Sequence, residues 1–469
     1  MASFPGTSLR AEGPRRLLEF ALSADAGEIL CQGRASGRCF DPPIASPPKT
    51  LAGLLALLLV PAAALLLAAL GQEQRATPPD RVTPAEVVAA TPGIARQVER
   101  IRELRFERIP RPKLITTEQL TRRFRREARR TGADADLRDA EVLLGIVGLI
   151  EPGDDLSGLV DAVASDVAGA YDPRGKELYV IEDAIPDEEA VVEVTIAHEL
   201  THALEDQVFG LRDSDALSDD RTLAYDALTE GSATAVMIQF AAERNLLGDL
   251  LLSDAGGSDI GEVPGPLQAQ LVFPYLGGQE FIQELRRAGG DWDLVDVADR
   301  EDPPVSSAQI LHPEKYLAGD LPQRVHIQPL PDDRWRRVDS GDVGEFDVRQ
   351  LTLVGTDDAA AARAGAGWAG GRFAIWRRRG ESGECEPPCR ERHVVVIKLA
   401  FEDRADAGEF LAVQPAYFEA LGAEEAEAVA TRVRAVLLGG AAAAALRGRT
   451  LTLAFAPSLP LATRLSLGS

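Results

Sequence analysis

The residues in this chain best placed to do chemistry together are His198, Glu199 and His202, in the run Ala197-His198-Glu199-Leu200-Thr201-His202-Ala203-Leu204-Glu205. Residues four apart on an α-helix share a face, about 6 Å apart along the axis. His198 and His202 can therefore offer two imidazoles to one metal ion. Glu199 projects beside them, where it can hold a water and take its proton. The chain has only five histidines, so this pattern arises by chance in roughly one such chain of several hundred. The plain alternative is a core helix with two incidental histidines. Two buried imidazoles and a buried carboxylate would then need partners of their own.

A catalytic zinc site takes three protein ligands and keeps one position open. No third histidine follows His202 closely, so the extended metzincin spacing is absent. The next acidic candidate is Glu230, in Leu228-Thr229-Glu230-Gly231-Ser232-Ala233. Asp226 lies one turn earlier and could ligate instead, or orient a histidine. Peptide hydrolysis also needs a donor for the oxyanion. His312 and Tyr316, in Ile310-Leu311-His312-Pro313-Glu314-Lys315-Tyr316, could supply it if their loop folds back. They could equally form a surface turn. His326 and His393 read as structural histidines in strands.

These motifs resemble the gluzincin branch of the zincin metallopeptidases. More narrowly, Ala197–Gln207, Leu228–Ala233, Ile310–Tyr316 and Gly367-Trp368-Ala369-Gly370-Gly371-Arg372 are similar to a set of largely uncharacterised bacterial and archaeal zincin-like proteins. The similarity runs from about residue 95 to the C-terminus. It implies Zn2+ and a peptidase fold and supplies no substrate.

The elements that must position these residues are legible in part. Acids at 187–189 and the apolar Val191, Val192, Val194, Ile196, Leu200 and Leu204 predict a buried helix ending near Gly210. A second helix is predicted over 219–244. Its small residues Gly231, Ala233 and Ala235 would let it approach the first closely. A short β-rich run at 177–182 is the expected edge strand for backbone pairing with substrate. Helices are expected over 97–106, 117–130, 136–150, 156–168 and 267–287, the last bending at Phe273-Pro274-Tyr275. Beyond about Val338 the pattern changes. Strands at 371–377, 393–401 and 450–455 and a helix at 403–421 suggest a smaller α+β unit. Trp368 and Trp376 read as core anchors. Cys385-Glu386-Pro387-Pro388-Cys389 reads as an oxidised hairpin loop rather than a metal site.

At 469 residues and a net charge of −24, the chain is long enough for more than one unit, and nucleic acid is excluded as its main partner. The expected divisions are a poorly ordered tail over 1–48, an apolar segment over 49–71, a linker over 72–94, a zincin-like domain over 95–335 and an α+β domain over 336–469. Residues 51–70 are uncharged and long enough to span a bilayer, as an anchor or a signal segment. They place the rest of the chain outside the cytoplasm. Residues 96–130 carry thirteen Arg and Lys against five Glu. They fit either an anionic membrane surface or a helical arm paired with the acidic body.

The expected fold is therefore α+β, with a mainly helical zincin-like core. The expected function is a zinc endopeptidase acting on peptide or protein, with Glu199 as general base. The alternatives are a catalytically silent zincin-like envelope protein and a metal-free membrane-anchored scaffold.

Overall fold

The computed structural model describes residues 82–468, apart from 132, 152–153, 155, 159–166, 213–216, 249–262, 382–384 and 386–387. Helix α1 (Pro84–Arg102) opens on a capping box. The Thr83 side chain accepts from the Glu86 amide, and the Glu86 carboxylate accepts from the Thr83 amide at 2.8 Å. Of the linker expected over 72–94, residues 84–94 are helical. Val87, Ile94, Val98 and Ile101 give α1 a buried stripe in the main core. That stripe holds the helix despite Pro92 within it.

Three short strands follow: β1 (Lys113–Ile115), β2 (Gly169–Asp172) and β3 (Glu177–Ile181). Helices α2 (Thr117–Thr131) and α3 (Ala133–Val147) lie between β1 and β2. The strand order is β1-β3-β2. The expected edge strand is thus the central one, paired parallel with β1 and antiparallel with β2. β2 is an edge of this sheet. Of the helix expected over 156–168, only a single turn at Leu156–Gly158 is seen, and most of the rest lies outside the described residues.

Helices α4 (Glu189–Val208), α5 (Asp219–Glu243) and α6 (Gly265–Gly289) form the main core with α1. Gly210, with φ +75°, follows α4 where the sequence placed its stop. The tight crossing expected of Gly231 is made with α6, not α4. A Cβ on Gly231 would lie 2.3 Å from the Gly278 carbonyl carbon, and one on Gly278 would lie 2.0 Å from the Ala227 oxygen. Helix α6 runs through Pro274 and ends at Gly289. Short helices α7 (Asp293–Arg300), α8 (Ser307–Leu311) and α9 (Pro313–Ala318) complete this half. Residues 320–330, where a strand around His326 was expected, form no regular element.

The other half is a seven-stranded antiparallel sheet in the order β4-β5-β6-β10-β9-β8-β7. Its strands are β4 (Trp335–Asp342), β5 (Trp368–Arg378), β6 (His393–Phe401), β7 (Ala426–Val429), β8 (Arg432–Leu437), β9 (Gly440–Arg447) and β10 (Thr450–Ala456). Helices α10 (Glu345–Leu353), α11 (Asp358–Ala366) and α12 (Arg404–Ala420) pack on one face, joined by Ile146 and Val147 of α3. Helix α13 (Leu459–Ser466) packs on the other. Trp368 and Trp376 are buried on opposite faces. Cys385 and Cys389 form a disulfide. The fold is mixed α+β.

The membrane placement is corrected. Among the described residues no helix is long and apolar enough to cross a membrane. Residues 51–70 lie outside the described residues, so nothing in the fold supports an anchor or a signal segment. The basic stretch packs in part as an arm on the body. Arg102 is wholly buried among carboxylates, Arg100 pairs with Glu243, and the Arg123 guanidinium lies 4.6 Å from the Tyr179 ring centre.

Candidate metal centre

Helix α4 is buried over most of its length, so its polar residues point at other elements rather than at water. His198 and His202 project from it toward Glu230 on α5. His198 Nε2 lies 3.0 Å from Glu230 Oε2 and 3.0 Å from His202 Nε2. His202 Nε2 lies 3.3 Å from the same oxygen. These three are the one group of His, Cys, Asp and Glu among the described residues able to share a metal ion.

The three contacts cannot all be hydrogen bonds. A proton on His198 Nε2 given to Glu230 leaves that nitrogen no lone pair for His202. Three lone pairs aimed at one point are what a cation satisfies. Around a tetrahedral zinc with bonds of 2.0–2.1 Å, ligand atoms sit about 3.3 Å apart, close to the spacing seen. The donor set therefore fits zinc. One feature departs from usual practice: His198 Nδ1 is buried with no partner, where a ligating histidine normally donates its second N–H.

Glu199 is fully buried. Its Oε2 accepts from the Tyr171 amide at 2.8 Å, and its Oε1 has no partner. Tyr171 belongs to β2, and its side chain pins that strand to α4. The hydroxyl donates to Asp206 Oδ2 at 2.6 Å, and Lys176 Nζ donates to the same carboxylate. The outward amide of an edge strand is thus committed to Glu199.

The charges are strongly coupled. Burial raises the Glu199 carboxyl well above the usual range, Glu230 adds to this, and His202 and the Tyr171 amide oppose it. Burial alone would lower His202, but Glu230, Glu199 and Glu205 outweigh it and hold the ring at about 9. Burial would likewise raise Glu230, but His202 and His198 hold it at about 2. The two charges support each other, His202 as the cation and Glu230 as the anion.

Asp226 stays outside the triad. It is buried, its Oδ2 has no partner, and burial followed by the Glu230 charge raises its pKa well above the usual range. His312 and Tyr316 have their polar contacts elsewhere. His312 Nε2 lies 2.9 Å from Glu345 Oε1, and the Tyr316 hydroxyl donates to the Asp302 carbonyl at 2.9 Å. The aromatic residue that does meet the site is Tyr275, whose ring stacks on His198 at 6.0 Å. The Phe273-Pro274-Tyr275 bend was visible in the sequence, but nothing there aimed it at α4.

Residues 332–465 match a family described as a domain of unknown function (DUF8575). That covers the antiparallel sheet and none of the metal-facing residues. No curated protein and no solved structure matches the chain. The comparisons bring no protease and no zinc-binding family, so the peptidase assignment takes nothing from them.

Proposed function

We propose that the chain is a zinc-dependent peptidase with a zincin-like core, hydrolysing bonds in a peptide or protein substrate. The observation that carries this reading is the meeting of His198 Nε2, His202 Nε2 and Glu230 Oε2 within 3.3 Å, beside the buried Glu199. Those three atoms would hold the zinc. When bound, zinc polarises the scissile carbonyl and acidifies the attacking water. Glu199 takes that water's proton on Oε1, the oxygen left without a partner, and hands it to the departing amine. The Tyr171 amide on Oε2 fixes the carboxylate's orientation. Burial raises the Glu199 carboxyl above the usual carboxylate range, the direction that suits a group that must both accept and release a proton.

Metal analysis of the wild type beside Glu230→Ala and Asp226→Ala tests the ligand set. One zinc per chain is expected, retained by Asp226→Ala and lost by Glu230→Ala. Glu199→Gln should keep zinc and lose at least about 10²-fold in hydrolysis of casein. Wild-type turnover by that variant would end the mechanism.

A catalytically silent, metal-stabilised core is favoured by one observation. His198 and Glu199 are wholly enclosed, and His202 and Glu230 are 2% and 3% exposed. Stoichiometric zinc without turnover of casein or of short peptides would establish that reading.

A further inference from the structure

On the face of the large sheet that carries α13, the strands change character along their length. Ala443, Ala454 and Val396 lie side by side on β9, β10 and β6 and are buried against α13. Two residues further along, the same face carries Ala445, Thr452 and Lys398 in one cross-strand row. The next row brings Thr450 and Arg447. Lys398 interrupts an otherwise apolar strand, His393-Val394-Val395-Val396-Ile397-Lys398-Leu399-Ala400-Phe401. A core-facing strand does not place a lysine there for packing.

Val396, Lys398, Ala445, Arg447, Thr450 and Thr452 line a groove of 380 Å³ between the sheet, the irregular segment 326–331 and the end of α13. That volume falls in the range of small-molecule sites. Ile327, Leu330, Val396 and Leu465 form its apolar wall. Lys398, Arg447 and His326 are its ionisable side chains, and among the described residues no Asp or Glu lines it. In a chain with 74 acids against 50 Lys and Arg, a groove with bases alone is a marked local inversion of charge. Lys398 Nζ is steadied by the His326 carbonyl at 3.1 Å. Lys398 and Arg447 stand on strands two apart and one row out of step, roughly 12 Å between backbones, a gap their long side chains can close.

We propose that this groove binds a small organic carboxylate, its anion held between Lys398 and Arg447 and its apolar tail against Ile327, Leu330 and Leu465. Thr450 and Thr452 offer hydroxyl donors on the floor. Lys398, Arg447, Thr450, Thr452 and Leu465 lie in the region matched by the family of unknown function, while Ile327 and Leu330 precede it, and the site does not depend on the metal centre.

Fluorine NMR on the full chain tests this with para-trifluoromethylbenzoate as probe and the matching benzyl alcohol as its neutral counterpart. The carboxylate should bind saturably and the alcohol at least about tenfold more weakly. Lys398→Met and Arg447→Met should each weaken the carboxylate about tenfold, with zinc content and circular dichroism unchanged. Arg447 is exposed, so its variant keeps the test valid if Lys398→Met fails to fold. Equal binding of acid and alcohol, or undiminished binding by Arg447→Met, would overturn the proposal. Displacement of the benzoate by an equal concentration of inorganic phosphate would overturn the role given to the apolar wall.

Discussion

Helix α4 carries two buried polar clusters whose anchor residues are three positions apart, and they solve one problem differently. In the first, Glu205 meets a cation the chain supplies. Arg102 Nε donates to Glu205 Oε1 at 2.6 Å, Nη1 to Asp296 at 2.7 Å and Nη2 to Asp299 at 3.1 Å. Ser232 adds a hydrogen bond to Glu205, and Trp292 lies over the guanidinium at 4.3 Å. Burial would lower the Arg102 pKa, but the three carboxylates raise it above its usual value, so the charge is permanent. In the second, His198, His202 and Glu230 converge with no Lys or Arg among them. One cluster is an ion network with its own cation that ties α1, α4 and α7 together, although Glu205 Oε2 has no partner in it. The other leaves room for a cation from outside. Similar burial and similar acids thus yield a clamp in one place and a candidate site in the other.

The largest effect should come from removing the built-in cation. Arg102→Met leaves Glu205, Asp296 and Asp299 without their counter-charge and should cost about 3–5 kcal/mol of stability, read by chemical denaturation. A loss under about 1 kcal/mol would mean that the network is not a clamp. Metal binding should separate the clusters by pH. His202 must shed its proton to ligate, and without metal it titrates near 9. Apparent zinc affinity should therefore rise about tenfold per pH unit between pH 6 and 9. A flat profile from competition with a chelator would remove His202 from the ligand set.

A third acidic group, at the junction of the two halves, sharpens the comparison because it has little compensating charge. Burial raises Asp219 well above the usual carboxylate range, with Asp339 and Asp347 adding to it. Burial likewise holds Asp220 at about 7 and Asp347 at about 6. These pKa values are raised by folding, so the folded chain binds the extra protons. The resulting stability is present at low pH and is lost as pH rises from about 4 to 7. Asp219→Asn should stabilise the protein at pH 8 and leave it nearly unchanged at pH 4. The opposite ordering would mean that a bound cation compensates the group. The smallest effect belongs to Tyr171→Phe. It loses the bond to Asp206, about 1 kcal/mol, while the amide that holds Glu199 remains. Zinc content should not change, and a large loss of zinc would show that the hydroxyl, not the backbone, organises the site.

Much of this was readable in the residues. The helices bearing His198, His202 and Glu230 follow from apolar spacing and, for the first, the stop at Gly210, within two residues of the observed ends. The structure shows a capping box at Thr83-Pro84-Ala85-Glu86, where the prolines and threonines of the sequence read as linker. Ala441–Ala445 shows strand pairing overriding local propensity. Alanine is the best helix former, but these residues are a strand. Gly439 and Gly448, with φ of +72° and +62°, turn the chain at each end, and pairing with β8 and β10 fixes the rest.

By itself, the order of residues determined which side chains could share one helical face, since a four-residue spacing does that wherever the helix lies. It also determined the preference for burial and the large excess of negative charge. Only the tertiary structure decided that Glu230 rather than Asp226 meets the two imidazoles, that β2 rather than β3 stands beside Glu199, and that His312 turns to Glu345 while Tyr275 stacks on His198. The physical reason is reach. Helical geometry acts over a few residues, whereas the angle and offset at which α4, β2, α5 and α6 meet come from close packing between segments far apart in the chain, at contacts such as Gly231 on Gly278.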